Sequence, residues 1–275
     1  MKRCFVNLPL RYIANNRMYI DYFIRKRINP ELGIDAYASD ILDKDWHKSL
    51  ADRLKEENME CSIHLPFLDL QPGSMDDLIL EATRNRLKKA MEIAKIYSPK
   101  FLIAHASFTP FYSEFFSKWL NRSIETWKQV LEVWPEHPPF YLENVREVDP
   151  RPLVDLLSEL SFLNNVKFCF DVGHWASYGG GCKRKNLAYW IQNLSQYLAH
   201  LHLHDNNGST DQHLGLGLGC VPWEELFSSL ELSNLSPTFT LEPHTKEDMD
   251  HCWWFIKKHF EWFSKLGIRR QDIPS

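Results

Sequence analysis

Residues 199–205 read AHLHLHD. Histidine and leucine alternate, and a period of two belongs to a β-strand whose faces differ. His200, His202 and His204 share one face, so three imidazoles look inward at successive depths of whatever this strand helps enclose. An apolar strand with polar groups along one side and at its end is the pattern to seek elsewhere in the chain.

It recurs. CFVNL (4–8), GIDAYA (33–38), CSIHL (61–65), FLIAHA (101–106), FYLENV (140–145), KFCFDVG (167–173), HLHLHD (200–205) and TFTLE (238–242) all read as short strands. Their starts lie roughly 28 to 40 residues apart, which leaves room for a helix and two loops. The segments between them look helical. Asp76–Ile96 spaces Leu78, Ala82, Leu87, Ala90, Met91 and Ala94 along one face. Ser113–Trp134 stops at Pro135, PRPLVDLLSEL opens on a proline suited to a first helical turn, and Trp223–Leu230 follows another. DHCWWFIKKHFEWFSKL (250–266) reads as one amphipathic helix whose aromatics pack on the strands. Strand and helix alternating eight times predict an α/β fold, a single (β/α)₈ TIM barrel over residues 1–275. No linker or shift in composition divides the chain, and GGG at 179–181 falls within one strand–helix unit.

The chain has 275 residues and a net charge of −4, so it offers no basic face for nucleic acid. The six cysteines are scattered without a CxxC pair and read as small buried thiols. MKRCFVNLPLRY reaches Pro9 and Arg11 before any long apolar run, and no stretch of about eighteen apolar residues follows. No membrane association and a reducing, cytoplasmic setting are the expectation.

In a barrel the carboxyl ends of the strands form the active-site face. His64 ends the third strand, His105 the fourth, Glu143 the fifth, Asp171 the sixth, His202 and His204 the seventh and Glu242 the eighth; His174, Asp211 and His213 lie just beyond. A buried carboxylate costs several kcal/mol unless it is paired or bound to a cation. Converging carboxylates interleaved with imidazoles are a ligand set for Zn, Mn or Fe. His202 is the expected direct donor of its strand. His204 is expected at the rim, touching substrate or orienting a ligand, and His200 deeper in a structural role.

This constellation resembles the xylose isomerase-like barrels, the AP endonuclease family 2 fold that includes endonuclease IV, over nearly the whole chain. DVGH and DQHLGLGLG, similar to D-x-H-x-x-x-G-x-G, are the most specific matches. The resemblance implies a centre of two to three divalent ions. His64, His105 and Glu143 would hold the first; Glu143, Asp171, His202 and Glu242 the second; and His174, Asp211 and His213 the third. The implied chemistry is metal-assisted phosphodiester hydrolysis by a metal-held hydroxide, with Glu242, Glu143 and His204 as catalytic candidates. Members that isomerise or epimerise sugars use one metal on four such residues, the alternative reading here.

The match departs from the DNA-repair branch. LPFLDLQPGSMDD follows His64, and YASDILDKDW is acidic, a poor surface for a phosphate backbone. Abasic-site repair is therefore the least favoured outcome, and a small-molecule phosphodiester the expected substrate. HLPFLDLQPGSMD, TPFY (109–112), LENV, DVGHW and LHLHDNNG further resemble the cobamide-remodelling phosphodiesterases, which cleave the nucleotide loop of a corrinoid. Phe67, Phe108, Phe111, Tyr112, Trp175 and Tyr178 are candidate pocket aromatics. Arg11, Asp35, Tyr37, Arg146 and Trp175 are the expected substrate contacts; Arg84, Arg122 and Arg184 read as surface charges.

Overall fold

The computed structural model describes residues 3–163 and 165–274. Strands β1 (Cys4–Pro9), β2 (Asn29–Gly33), β3 (Ser62–His64), β4 (Leu102–His105), β5 (Phe140–Glu143), β6 (Val166–Asp171), β7 (Leu198–Leu203) and β8 (Thr238–Leu241) run parallel in chain order. β1 pairs with β8, from Cys4 beside Phe239 to Val6 beside Leu241, so the sheet closes and leaves no edge. The fold is the expected α/β TIM barrel.

Seven strands lie on the expected runs to within two residues. The second does not. It is NPELG, and Ala36–Asp40 of the expected strand GIDAYA is a short helix capped by Asp35, whose carboxylate accepts the Ala38 N–H at 2.8 Å. Pro30 and Glu31 oppose a strand reading on propensity. In the barrel Pro30 lies in register with Val6 and Leu32 with Leu8, and the interior supplies Glu31 with partners. The C-terminal helix is also broken, into Lys246–Lys258 and Phe260–Lys265 on either side of His259.

Alternation along the strands stacks the interior in layers. Phe5, Phe101, Ile103, Tyr141 and Cys169 form an apolar plug, each fully buried Phe contributing roughly 1.5–3 kcal/mol over an exposed one. Above it lies a polar layer. His200 bonds Thr238 Oγ1 at 2.7 Å and Thr240 Oγ1 at 2.9 Å, and the Thr240 and Ser62 hydroxyls donate to Glu31 Oε2 at 2.7 and 3.2 Å. The outer shell is a second, larger core holding buried Trp119, Trp127, Trp175 and Trp190.

Two cysteines correct the thiol reading. Cys182 and Cys220 form a disulfide that ties the loop after β6 to the loop after β7, while Cys4, Cys61, Cys169 and Cys252 remain free thiols. The two partners are 38 positions apart on separate loops, and nothing in local spacing joins them. No helix among the described residues is long and apolar enough to cross a membrane.

Candidate metal centre

All nine strand-end donors meet above the polar layer, with Glu143 as the hub. Its Oε2 lies 3.0 Å from His64 Nε2, 3.3 Å from His202 Nδ1 and 3.5 Å from His105 Nε2. Its Oε1 faces the other way, 3.0 Å from His174 Nδ1. His202 Nδ1 also stands 3.4 Å from Glu242 Oε1 and 3.7 Å from Asp171 Oδ2. Farther along the face, His174 Nε2 and His213 Nε2 approach Asp211 Oδ2 at 3.4 and 3.1 Å.

The hydrogen bonds on the far side of each ring decide what the near side can be. His64 Nδ1 meets the Leu65 carbonyl at 2.8 Å, His174 Nδ1 the Asn144 carbonyl at 3.1 Å and His213 Nδ1 the Glu242 carbonyl at 2.8 Å. A carbonyl only accepts, so each Nδ1 carries the hydrogen and a neutral ring is bare at Nε2. Each bare nitrogen then faces a carboxylate oxygen across 3.0–3.4 Å. Two acceptors in contact require either a proton or a cation between them. Further atoms have no hydrogen-bond partner at all: both ring nitrogens of His202, His204 Nδ1 and Asp211 Oδ1. Divalent ions fit this set, because neutral imidazoles and carboxylates are their donors and the tied-back nitrogens fix the rings.

Without an ion the centre is balanced by protons. Burial lowers the pKa of His174, yet Asp171, Asp211 and Glu143 around it raise it well above the ordinary range. His202 behaves alike, with Glu242, Glu143 and Glu31 overcoming its burial. Burial would raise Glu143, but the His202 and His105 charges hold it well below the usual carboxylate range. Glu242 goes the other way, raised by burial and by Asp171 against His202 and His213.

Several supporting residues were not foreseen. Glu31, fully buried, lies 3.1 Å from His202 Nε2, an ion-pair distance off the hydrogen-bond angle. Burial raises its pKa, but the charges of His202, His200 and His64 outweigh that and bring it to about 2. Asn144 clips β5 to β6 by accepting from the Asp171 N–H and donating to the Asp171 carbonyl, both at 2.9 Å. Asn7 donates to Glu242 Oε1 at 3.3 Å. In sequence Asn144 shows only as part of LENV, and Glu31 sits in a segment that does not read as a strand.

The rim is mixed. Phe67, half exposed, stacks on His105 at 4.3 Å and meets His64 edge-on at 5.4 Å. Arg146 lies 4.4 Å over Tyr178, which stacks on His174 at 5.7 Å. Phe111 is exposed and Tyr112 bonds Gln71, whereas Phe108 is buried against Trp119. Arg11 pairs with Asp35 at 3.3 Å and Tyr37 is exposed. Trp175 does not reach the open face: it is 1% exposed, and its indole donates to Asn186 at 3.1 Å. Arg84 and Arg122 lie between outer helices, bonded to Thr126 and Ser74.

Residues 30–259 match the family described as the xylose isomerase-like TIM barrel. The chain belongs to that family. Its curated relatives include the uncharacterized protein MJ1311 of Methanocaldococcus jannaschii, 24% identical over 82% of this chain and 78% of that one. A D-tagatose 3-epimerase-like protein superposes with a TM-score of 0.75 at 19% identity, covering 97% of this chain and 98% of the other. Endonuclease IV from Thermus thermophilus superposes with a TM-score of 0.66 at 16% identity, covering 96% of this chain and 100% of that one. At these identities the superpositions establish a shared barrel fold.

Proposed function

We propose that this xylose isomerase-like barrel is a metal-dependent hydrolase of a small-molecule phosphodiester. The observation that carries the reading is that Glu143 is shared by two donor sets: His64 Nε2 and His105 Nε2 lie on one side, and on the other His202 Nδ1, which also faces Glu242 and Asp171. A carboxylate shared by two donor sets would serve two ions, and the His174, Asp211 and His213 group would extend the set to a third. When bound, Zn, Mn or Fe would supply Lewis acidity and lower the pKa of water.

The protein's own residues then have distinct tasks. His64, His105, Glu143, Asp171, His174, His202, Asp211, His213 and Glu242 would hold the ions. Glu242, at the end of β8 and 3.4 Å from His202 Nδ1, is the candidate to take a proton from the attacking water. Arg146, poised on Tyr178 at the rim, would meet the substrate's phosphate, and Phe67 and Tyr178 would flank its apolar part. The acidic loop after β2 disfavours a nucleic-acid backbone. The sequence segments after β3 and β4 support a corrinoid nucleotide loop as the substrate, cleaved as in cobamide remodelling.

The quartet Glu143, Asp171, His202 and Glu242 favours a second reading, since one metal on such a set serves sugar epimerisation. One experiment separates them: metal-loaded protein incubated with model phosphodiesters, a cobamide, ketohexoses and abasic duplex DNA, with products read by mass. Cleavage of the cobamide or the model diesters is expected. Epimerised ketohexose with all diesters intact would replace the first reading with the second, and nicking of DNA alone would move it to the repair branch.

A further inference from the structure

His204 is not where the sequence places it. It is fully buried, and its ring stacks on His213 with centroids 3.8 Å apart and planes 5° from parallel. Nε2 bonds Asp171 Oδ1 at 3.1 Å, which commits that nitrogen as the N–H. Nδ1 has no hydrogen-bond partner and stands 3.9 Å from Asp211 Oδ1, itself without one. The stacked pair therefore presents two bare nitrogens to the two oxygens of one carboxylate: His213 Nε2 to Oδ2 and His204 Nδ1 to Oδ1. His174 Nε2 approaches the same carboxylate from the third side. One donor atom from each of His174, His204, Asp211 and His213 lies within 4.8 Å of every other.

We propose that His204 is a fourth donor at this end of the centre, so that protein atoms alone enclose the ion held there. A set of four protein donors is the arrangement of a structural site, whereas three donors leave a position for water or substrate. The His64, His105 and Glu143 end has three. The two ends then differ in kind, with the exchangeable position beside half-exposed Phe67 and the closed ion beneath His244, which stacks on His213 at 3.8 Å. Asp171 takes on two tasks. Its Oδ1 accepts the His204 Nε2 hydrogen and the His174 backbone N–H at 2.6 Å, which turns His204 Nδ1 toward Asp211, while Oδ2 stays with His202 and His174.

The inference rests on the metal centre and not on the substrate, so a failed diester assay leaves it standing. Its test is metal binding by the full chain. Protein stripped with a chelator is titrated with Co(II), recording the number of bound equivalents and the affinity of each. His204→Gln sets an amide where Nε2 was, keeping a bond to Asp171 and losing the Nδ1 donor. His204→Asn does the reverse. His204→Gln is expected to bind one cobalt equivalent more than about 100-fold more weakly, beyond what loss of an outer partner costs, and to leave the others unchanged. His204→Asn should retain that equivalent at lower affinity, whereas His105→Ala should weaken a different one. If His204→Gln does not fold, the Asn variant and the parent decide. His204→Gln holding every equivalent within a few-fold of the parent, or His204→Asn losing that equivalent altogether, would overturn the assignment.

Discussion

Replacing Asp205 with alanine should release the loop that carries Asp211 and His213. Asp205 ends the AHLHLHD run and is fully buried. Its Oδ1 accepts the Asn206 and Val221 N–H groups at 2.9 and 3.1 Å, and its Oδ2 accepts the Gly217 N–H and the Trp223 indole N–H, both at 2.9 Å. One carboxylate thus gathers donors from residues 206 to 223. Its backbone also pairs with Leu214 in both directions at 2.9 Å, one residue beyond His213. A hydrogen bond to a charged acceptor contributes roughly 1.5–3 kcal/mol, and a buried donor left without one costs about 1–3 kcal/mol. Gly217 is exposed and can turn to water, which leaves three donors on buried residues. Because the three share one loop their losses do not simply add, and Asp205→Ala should cost about 4–6 kcal/mol.

Against a typical total of ~5–15 kcal/mol, a cost of that size is better met by local opening than by global unfolding. Urea unfolding of metal-free protein measures the total. Amide exchange at Val221, Asn206 and Leu214 reads the local opening. Bound metal should fall by the ion of the Asp211 group, while the His64, His105 and Glu143 end keeps its own. Asp205→Asn retains one oxygen and should cost about half as much. A loss below about 1 kcal/mol for Asp205→Ala, with Val221 exchange unchanged, would refute the reasoning.

Other positions give sharp outcomes. Glu147 is buried and accepts the Phe108 N–H at 2.9 Å and the Val145 N–H at 2.5 Å; burial outweighs these bonds and lifts its pKa from 4.5 to about 7. The folded protein holds a proton that the unfolded chain loses near pH 4.5, so this group's contribution is complete at low pH and declines by roughly 3 kcal/mol as pH rises to about 7. Glu147→Gln should flatten that part of the stability–pH curve, measured by urea unfolding of parent and variant between pH 4.5 and 8. Gly173→Ala would drive its new methyl into the His204 ring, which His213 holds from the other side; a loss of about 1–3 kcal/mol with loss of the third ion is expected, and an unchanged metal content would contradict it. Glu31→Gln should weaken total metal binding by about 10–100-fold through His202, checked by competition with a chelator. Reducing Cys182–Cys220 opens a loop of 38 residues, worth about 4 kcal/mol on the chain-entropy account, and melting with and without reductant measures it.

The barrel was readable because seven strands carry β-branched and aromatic runs at regular intervals, and a closed parallel sheet is the compact way to bury eight of them. The nine donors were readable for a related reason. A charged group at the end of an apolar strand has no local explanation, so each one points to a shared partner. Glu31 escaped because its justification is entirely nonlocal: His202, Thr240 and Ser62 come from three other strands. NPELG by itself opposes a strand, and only the closed barrel makes it one. Trp175 failed in the opposite sense. DVGHW puts it beside His174, but the short helix Val172–Ala176 turns it onto Phe170 and Gly181, behind the site. Cys182 and Cys220 meet only after two loops have folded.

His204 shows why alternation ranks depth but not direction. Period two correctly gives His200, His202 and His204 one face, and by that pattern the outermost of the three belongs at the rim. Yet β7 ends at Leu203, and beyond that point the chain turns toward Leu214 instead of rising into solvent. The loop it enters folds back over the strand end, so the last histidine is buried by residues that follow it in sequence, Asp211 and His213 among them. What looked like a position for touching substrate becomes a position beneath a loop, with one nitrogen bonded to Asp171 and the other facing Asp211. The same turn makes Asp205 the anchor of that loop. The order of polar residues in HLHD thus encodes an alternation of tasks: His202 faces the hub, His204 faces the loop, and Asp205 holds the loop in place.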